Sequence, residues 1–160
     1  GLNQVSLNLI MATFSQYKHT LPCARVAFFD TDRVHVLAVT SVRADKFVLP
    51  GGKCNAHKGE MMWDCAVREI QEELGEDLAN LFRQNVAKGS NPNFFCPHWK
   101  SSQGIYVVHG CPRDIPLFPR EGEIGKVGWV PLDSSCFMAV GNCCQSMFRK
   151  FTQGAMHGVC

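Results

Sequence analysis

The stretch that decides the fold lies at residues 50–77 and reads PGGKCNAHKGEMMWDCAVREIQEELGED. A helix is predicted over residues 61–74, because this part has no Pro or Gly and its apolar residues recur at helical spacing. Those apolar residues are Ala66, Val67, Ile70 and Leu74. Gly75 then ends the predicted helix, since glycine is the usual residue just beyond a helix C-terminus.

Three carboxylates share one face of this helix, because Glu69, Glu72 and Glu73 stand at positions i, i+3 and i+4. Like charges at this spacing repel one another, and a hard divalent cation such as Mg²⁺ or Mn²⁺ removes that repulsion. Arg68 can pair with one of the carboxylates and hold it in place. The alternative interpretation is a solvated acidic face. The fixed offsets of Glu60 and Arg68 from the acidic run favour the metal site.

The same stretch resembles the Nudix box, Gly-x5-Glu-x7-Arg-Glu-U-x-Glu-Glu-x-Gly-U, in which U is an aliphatic residue. The match is complete from Glu60 to Gly75. Seven residues, instead of five, separate Gly52 from Glu60, and Glu76 stands where the pattern has an aliphatic residue. The resemblance implies a Nudix hydrolase of the α/β class. The implied Nudix fold is an α/β/α sandwich with a mixed sheet and a C-terminal helix.

A wider resemblance, over about residues 14–152, is to the Nudix domain of the eukaryotic mRNA-decapping enzymes. The segments that carry it are Tyr17-Lys18 with Leu21-Pro22, Asp64-Cys65-Ala66, Pro112-Arg113-Asp114, Glu123-Ile124 with Trp129, Phe137-Met138-Ala139-Val140, and Phe148-Arg149-Lys150. One segment departs from that family, which has Trp-x-Phe-Pro-Lys/Arg-Gly-Lys before the box. This chain has Phe47-Val48-Leu49-Pro50-Gly51-Gly52-Lys53, the form of Nudix enzymes in general.

The decapping resemblance implies hydrolysis of the 5′ cap of mRNA, which releases 7-methylguanosine diphosphate and 5′-monophosphate RNA. The implied cofactor is Mg²⁺ or Mn²⁺, and the substrate is capped RNA. The implied metal ligands are Glu69, Glu72 and Glu73, with Glu60 and Glu123 as further candidates. The implied catalytic residues are Glu123 as proton acceptor, Glu73, and Arg68, which orients the carboxylates. The candidate phosphate- or RNA-binding residues are Lys53, Arg149 and Lys150.

Two other functions stay open at this point. One is a small-molecule Nudix hydrolase of nucleoside or dinucleoside polyphosphates. The other is a Nudix-fold module that binds RNA without cleaving it. The intact set of glutamates argues against the binding module, because such modules usually lose at least one carboxylate.

Charge is distributed unevenly along the chain, whose net charge is +2. Residues 60–77 hold seven acids against one base, Arg68, so the remainder holds fifteen bases and seven acids, a balance of +8. An acidic pocket within a basic surround suits a polyanionic substrate that approaches bound cations. The alternative is an ordinary, mildly basic surface.

Length and composition set the limits of the chain. Its 160 residues predict one domain, here a Nudix catalytic domain at residues 17–152, with an extension or remnant of a preceding domain at 1–16 and a tail at 153–160. No apolar run approaches ~20 residues, so no membrane span is predicted. Nine cysteines without a Cys-x-x-Cys pair fit free thiols in a reducing cytosol or nucleus. A decapping activator protein would bind through a region largely absent from this chain, which begins at Gly1 and is expected to be a piece of a longer protein.

Secondary structure outside the box is predicted from apolar runs and turn residues. The predicted strands are 21–29, 34–39, 47–49, 105–108 and 124–132. A C-terminal helix is predicted at 136–151 and a long loop at 87–103, while 78–86 fits either a helix or a strand.

Overall fold

A buried strand, β1 (Cys23–Asp30), lies in the middle of the sheet that carries the fold. The computed structural model describes residues 3–6, 8, 9, 21–98 and 101–131. The other strands are β2 (His35–Ser41), β3 (Gly51–Lys53), β4 (Phe94–His98), β5 (Ser101–Cys111) and β6 (Ile124–Pro131). Within residues 21–98 and 101–131 the helices are α1 (Met62–Leu74) and α2 (Glu76–Asn85), preceded by one 3₁₀ turn (Ala56–Lys58).

The sheet is mixed, with the strand order β4-β5-β1-β2-β6. Strand β1 runs parallel to β5 and antiparallel to β2. The short strand β3 pairs only with the start of β1, at Cys23, Ala24 and Arg25, whereas β2 meets β1 at Phe29. Because seven of the eight residues of β1 are buried, this strand reads as a near-continuous apolar run, as a central strand does.

The core lies between the sheet and the two helices. Helix α1 turns its apolar side towards Ala24, Val26 and Phe28, which alternate along one face of β1. The buried residues of α1 are Trp63, Cys65, Ala66, Val67, Ile70, Glu73 and Leu74. Burial of this side fixes the rotation of α1 about its axis, so that Glu69 and Glu73 lie against Gly52 and Gly51 of β3.

The predicted mixed α/β sheet is confirmed, and so are the helix of the box and the hairpin of β1 and β2. Residues 78–86, left open between helix and strand, fall mostly in α2. Two predictions are wrong. The expected strand at 47–49 is reduced to a single bridge between Val48 and Val39, and the strand forms instead at Gly51–Lys53. The expected loop at 87–103 contains β4 and the beginning of β5.

Some predictions lie outside the described residues or stay untested. The C-terminal helix at 136–151 is in the first group, and so is most of the extension at 1–16. The domain boundaries stay predictions. Within the described part of the chain, none of the helices is long and apolar enough to cross a bilayer.

The hairpin between β1 and β2 predicts a stability test at Asp30. Its buried carboxylate accepts hydrogen bonds from the backbone N–H groups of Val34 (2.9 Å) and His35 (3.1 Å) and lies 3.0 Å from the His35 ring. Burial alone would raise the pKa of Asp30, but these hydrogen bonds outweigh it and hold the pKa below 3.8. We expect Asp30→Ala to lower the free energy of unfolding at pH 7 by about 2–3 kcal/mol, because it leaves backbone donors unpaired.

The Asp30 test is read by denaturant unfolding at two pH values. The pKa of Asp30 is lowered on folding, so its contribution is present above pH 3.8 and is lost as the pH falls through the folded-state pKa. The free energies of unfolding of Asp30→Ala and of the unchanged protein should therefore become equal in acid. The matched control is Asp32→Ala, an exposed aspartate of the same turn. Equal losses from the two variants would contradict the assignment.

Candidate active site

Arg68 makes five hydrogen bonds, four to acidic residues of the box and one to the end of β3. Its Nε and Nη2 donate to the two carboxylate oxygens of Glu60 at 2.8 and 3.0 Å. Its Nη1 donates to Glu69 at 3.0 Å and to Glu72 at 3.3 Å, and Nη2 also donates to the Lys53 carbonyl at 3.1 Å. The hydrogen bonds to Glu60 are the main cause that raises the pKa of Arg68. Arg68 therefore stays charged and fixes three carboxylates relative to the end of β3.

The two extra residues before Glu60 are accommodated in the 3₁₀ turn Ala56–Lys58. The ends of this loop are held together, because Asn55 N–H donates to Glu60 Oε1 at 2.9 Å and Glu60 N–H donates to the Asn55 carbonyl at 3.2 Å. Gly59 ends the turn in the left-handed region, at φ 73°. Glu60 therefore reaches Arg68 despite the longer loop. Its hydrogen bond with Arg68 is the main cause that lowers the pKa of Glu60.

The Gly51-Gly52 pair allows the backbone of β3 to approach the carboxylates. A Cβ on Gly52 would lie 2.5 Å from the carboxyl carbon of Glu69, so any side chain there displaces Glu69. Gly51 has φ 143°, and a Cβ there would collide with the carbonyl oxygen of Ala24. Its N–H donates to Glu73 Oε2 at 3.3 Å. The two glycines thus bring backbone into contact with two of the predicted metal ligands.

Glu73 is the most buried of the site carboxylates, with 6% of its surface exposed. Burial is the main cause that raises the pKa of Glu73 to about 7, and the negative charges of Glu69 and Glu123 raise it further. The hydrogen bond from Gly51 and the charge of Arg25 act in the opposite direction. Burial also raises the pKa of Glu69, against the charge of Arg68. Glu73 is therefore a buried acid near two other negative charges.

Glu123 reaches the site through the segment that caps the C-terminal end of α1. Phe118 N–H donates to the Leu74 carbonyl at 2.8 Å, and Arg120 N–H donates to the Glu73 carbonyl at 2.9 Å. The Arg120 carbonyl in turn accepts the N–H of Glu123 at 3.2 Å. Because of these contacts, Glu123 lies close enough to affect the pKa of Glu73.

The structure brings most of the predicted site residues together. Glu60, Arg68, Glu69, Glu72, Glu73 and Glu123 are linked by the contacts above. Lys53 ends β3, with an exposed side chain and its carbonyl bonded to Arg68. Arg149 and Lys150 lie outside the described residues. The catalytic and metal-binding roles of all these residues stay predictions.

Among residues 3–6, 8, 9, 21–98 and 101–131, no group of three or more acidic, His or Cys side chains is arranged to hold a metal ion. The positive charge of Arg68 lies against Glu69 and Glu72, where a metal cation would otherwise bind. The chemistry of the donor set nevertheless fits a hard divalent cation, since every candidate ligand is a carboxylate and Glu73 is buried near other acids. Metal binding has to compete with Arg68 for Glu69 and Glu72.

Sequence reasoning missed three contributors to the site. They are the N–H of Gly51, the side chain of Arg25 and the side chain of Arg120. Arg25 Nη1 donates to the Leu49 carbonyl at 2.7 Å and so supports the turn before Gly51. Arg25 is the one basic residue of the mostly apolar β1, and this signal could have pointed to it. The Gly51 N–H and Arg120 had no such signal, because tertiary contacts place both of them.

A family model and two related proteins each match most of this chain. A NUDIX domain model matches residues 19–140. The mRNA-decapping enzyme subunit 2 of Saccharomyces cerevisiae (strain YJM789) is 31% identical over 122 residues, which cover 72% of this chain and 11% of that protein. The m7GpppN-mRNA hydrolase dcap-2 of Caenorhabditis elegans is 27% identical over 133 residues, which cover 78% of this chain and 15% of that protein. The chain therefore spans only a small part of the length of these relatives.

Two solved structures share the fold at low sequence identity. A Caenorhabditis elegans Ap4A hydrolase in a binary complex has a TM-score of 0.60 at 18% identity, and the match covers 84% of this chain and 96% of that one. A MutT protein from Methanosarcina mazei has a TM-score of 0.57 at 18% identity, with 84% and 94% covered. At this level of identity the likeness shows the fold.

Proposed function

This chain belongs to the Nudix hydrolase family, and from that premise we propose that it is the catalytic domain of an mRNA-decapping enzyme. It would hydrolyse the 5′ cap to 7-methylguanosine diphosphate and 5′-monophosphate RNA. The observation that carries the hydrolase chemistry is the carboxylate cluster itself, in which Arg68 joins Glu60, Glu69 and Glu72 while the buried Glu73 accepts the Gly51 N–H. Similarity to decapping enzymes over 72% of the chain supports capped RNA as the substrate.

The mechanism assigns one task to each element of the site. Nudix hydrolases generally use divalent metal ions, and bound Mg²⁺ or Mn²⁺ polarises phosphate oxygens and lowers the pKa of a bound water. The ligands would be Glu69, Glu72 and Glu73, with Glu60 supported by Arg68. Glu123, whose charge acts on Glu69 and Glu73, would accept the proton of the attacking water. Lys53, exposed at the end of β3, would contact a phosphate of the bridge.

Partner and location belong to the same proposal. An activator protein would bind a region outside these 160 residues, and the cytoplasm or nucleus would be the site of action. Cys23, Cys54, Cys65 and Cys111 are free thiols, which suits a reducing compartment.

A small-molecule substrate is the second candidate. Leu49-Pro50-Gly51-Gly52 has the form of Nudix enzymes in general, and departs from the Phe-Pro-Lys/Arg-Gly pattern of the decapping family. Such an enzyme would hydrolyse nucleoside or dinucleoside polyphosphates with the same carboxylates.

Product analysis on capped RNA separates the two candidates. We expect a capped RNA of some tens of nucleotides to be cleaved much better than the free cap dinucleotide or a dinucleoside polyphosphate, because phosphate contacts along the RNA add affinity. The advantage should fall as salt rises from low to physiological strength, and EDTA should abolish all turnover. Equal, salt-independent turnover of the cap dinucleotide and the long RNA would favour the small-molecule hydrolase. Full activity in EDTA would contradict the metal site itself.

A further inference from the structure

A second arginine, Arg120, contacts two carboxylates of the site. Its Nη1 lies 3.4 Å from Glu123 Oε2 and 3.9 Å from Glu72 Oε2. Glu72 Oε2 also accepts a hydrogen bond from Arg68, so this one oxygen lies between the two guanidinium groups. Arg120 thus links a carboxylate of α1 with the carboxylate that precedes β6.

The two arginines are held very differently. Arg68 donates five hydrogen bonds, two of them to Glu60, and its side chain is only 28% exposed. The side chain of Arg120 is 55% exposed, and its two ion pairs are longer. Ion pairs between exposed groups at such distances are weak and are screened by salt. Arg68 is therefore fixed in the structure, whereas Arg120 can exchange its partners at little cost.

The backbone of Arg120, in contrast, is fixed. Its N–H donates to the carbonyl of Glu73 at 2.9 Å, and its own carbonyl accepts the N–H groups of Glu123 and Ile124 at 3.2 and 2.9 Å. The Cα atom is thus anchored between the end of α1 and the start of β6. An exposed, permanently charged guanidinium on an anchored backbone, next to the carboxylates of the site, suits a group that binds an anionic substrate.

We propose that Arg120 is a substrate-binding residue, which pairs with Glu72 and Glu123 in the free protein and binds phosphate oxygens of the polyphosphate once a divalent cation takes these carboxylates. The inference rests on the proposed pyrophosphohydrolase activity, and it names a residue that binds the polyphosphate. The guanidinium matches the geometry of two phosphate oxygens. When a cation neutralises the carboxylates, Arg120 loses its partners, and the polyphosphate supplies new ones of the same charge.

The first test measures binding of a non-hydrolysable probe. Imidodiphosphate is titrated by calorimetry, in the presence of Mg²⁺, into the unchanged protein, Arg120→Ala, Arg120→Lys and Arg113→Ala. Arg113 is the matched control, because it is 53% exposed and lies 3.8 Å from a carboxylate, that of Asp30, in the β1–β2 hairpin. We expect Arg120→Ala to weaken probe binding on the order of 10- to 100-fold, with partial recovery in Arg120→Lys and no change in Arg113→Ala.

The second test separates substrate binding from mere positioning of the carboxylates. Mg²⁺ or Mn²⁺ is titrated alone into Arg120→Ala. We expect metal affinity to stay the same or rise, because a competing cation has been removed from Glu72 and Glu123. A parallel loss of metal and probe affinity would overturn the proposal, since Arg120 would then act by arranging the ligands. Unchanged probe affinity, or an equal loss in Arg113→Ala, would overturn it too.

Kinetics on a cleaved substrate completes the test. Arg120→Ala should raise KM more than it lowers kcat, as loss of a binding contact does. The calorimetric binding tests do not depend on the cap, because imidodiphosphate contains no nucleoside. If capped RNA is not cleaved but probe binding still depends on Arg120, the proposed function fails and the assignment of Arg120 stands. If capped RNA is cleaved and probe binding does not depend on Arg120, the proposed function stands and the assignment of Arg120 fails.

Discussion

Glu73→Gln is expected to lower turnover on the order of 10²-fold or more at saturating metal and substrate, the scale seen when one key electrostatic group is removed. The substitution preserves the shape of the side chain and can still accept the Gly51 N–H at 3.3 Å, so it removes the charge alone. The measurement is kcat with Mg²⁺. The matched control is Glu76→Gln, the same chemical change on an exposed side chain at the start of α2. Full activity of Glu73→Gln would refute the site assignment.

The same substitution should stabilise the metal-free protein. The pKa of Glu73 is raised on folding from 4.5 to about 7, mainly by burial. Its contribution to stability is therefore complete below pH 4.5 and is lost as the pH rises through 7. In EDTA, Glu73→Gln should exceed the unchanged protein in free energy of unfolding by up to about 3 kcal/mol at pH 8, and by little at pH 4.5. Denaturant unfolding at both pH values reads this difference, and the absence of any gain at pH 8 would contradict the buried charge.

The second large effect is expected at Glu123. Glu123→Gln should lower kcat by about 10²–10⁴-fold with little change in substrate affinity, as loss of a general base does. The backbone of Glu123 is fixed by hydrogen bonds of its N–H to Arg120 and of its carbonyl to Val42, so its carboxylate is held beside the cluster. The matched control is Glu121→Gln, two residues away in the exposed turn. If Glu121→Gln were the more damaged variant, the proton acceptor would have been placed on the wrong residue.

The parts of the fold that the sequence predicts are those with strong periodicity. Helix α1 combines an apolar stripe with a carboxylate stripe at i, i+3 and i+4, and Gly75 ends it, so its bounds are nearly those expected. Strand β1 is a mostly apolar run bounded by a turn, and β2 follows it after that short turn. In each case the local pattern and the tertiary environment favour the same conformation.

The parts that the sequence does not predict are placed by tertiary contacts. Strand β3 consists of Gly51, Gly52 and Lys53, a turn-like composition that forms a strand because Cys23–Arg25 of β1 offers backbone partners. Strand β4 lies in a stretch rich in Asn and Pro, and it forms a strand because β5 offers it backbone partners. The position of Arg120 depends on the hydrogen bond from its N–H to the carbonyl of Glu73, a residue remote in sequence. The order of residue types along the sequence carries no direct information about such tertiary contacts.

The loop between Asn55 and Glu60 offers a place for labelling next to the candidate active site. The hydrogen bonds between Asn55 and Glu60 close the loop at its base, and the four residues 56–59 beyond that closure are exposed. Lengthening a closed loop costs little, only about 0.6 kcal/mol for each doubling. A short peptide tag inserted between His57 and Lys58 should therefore leave Glu60 in its place against Arg68.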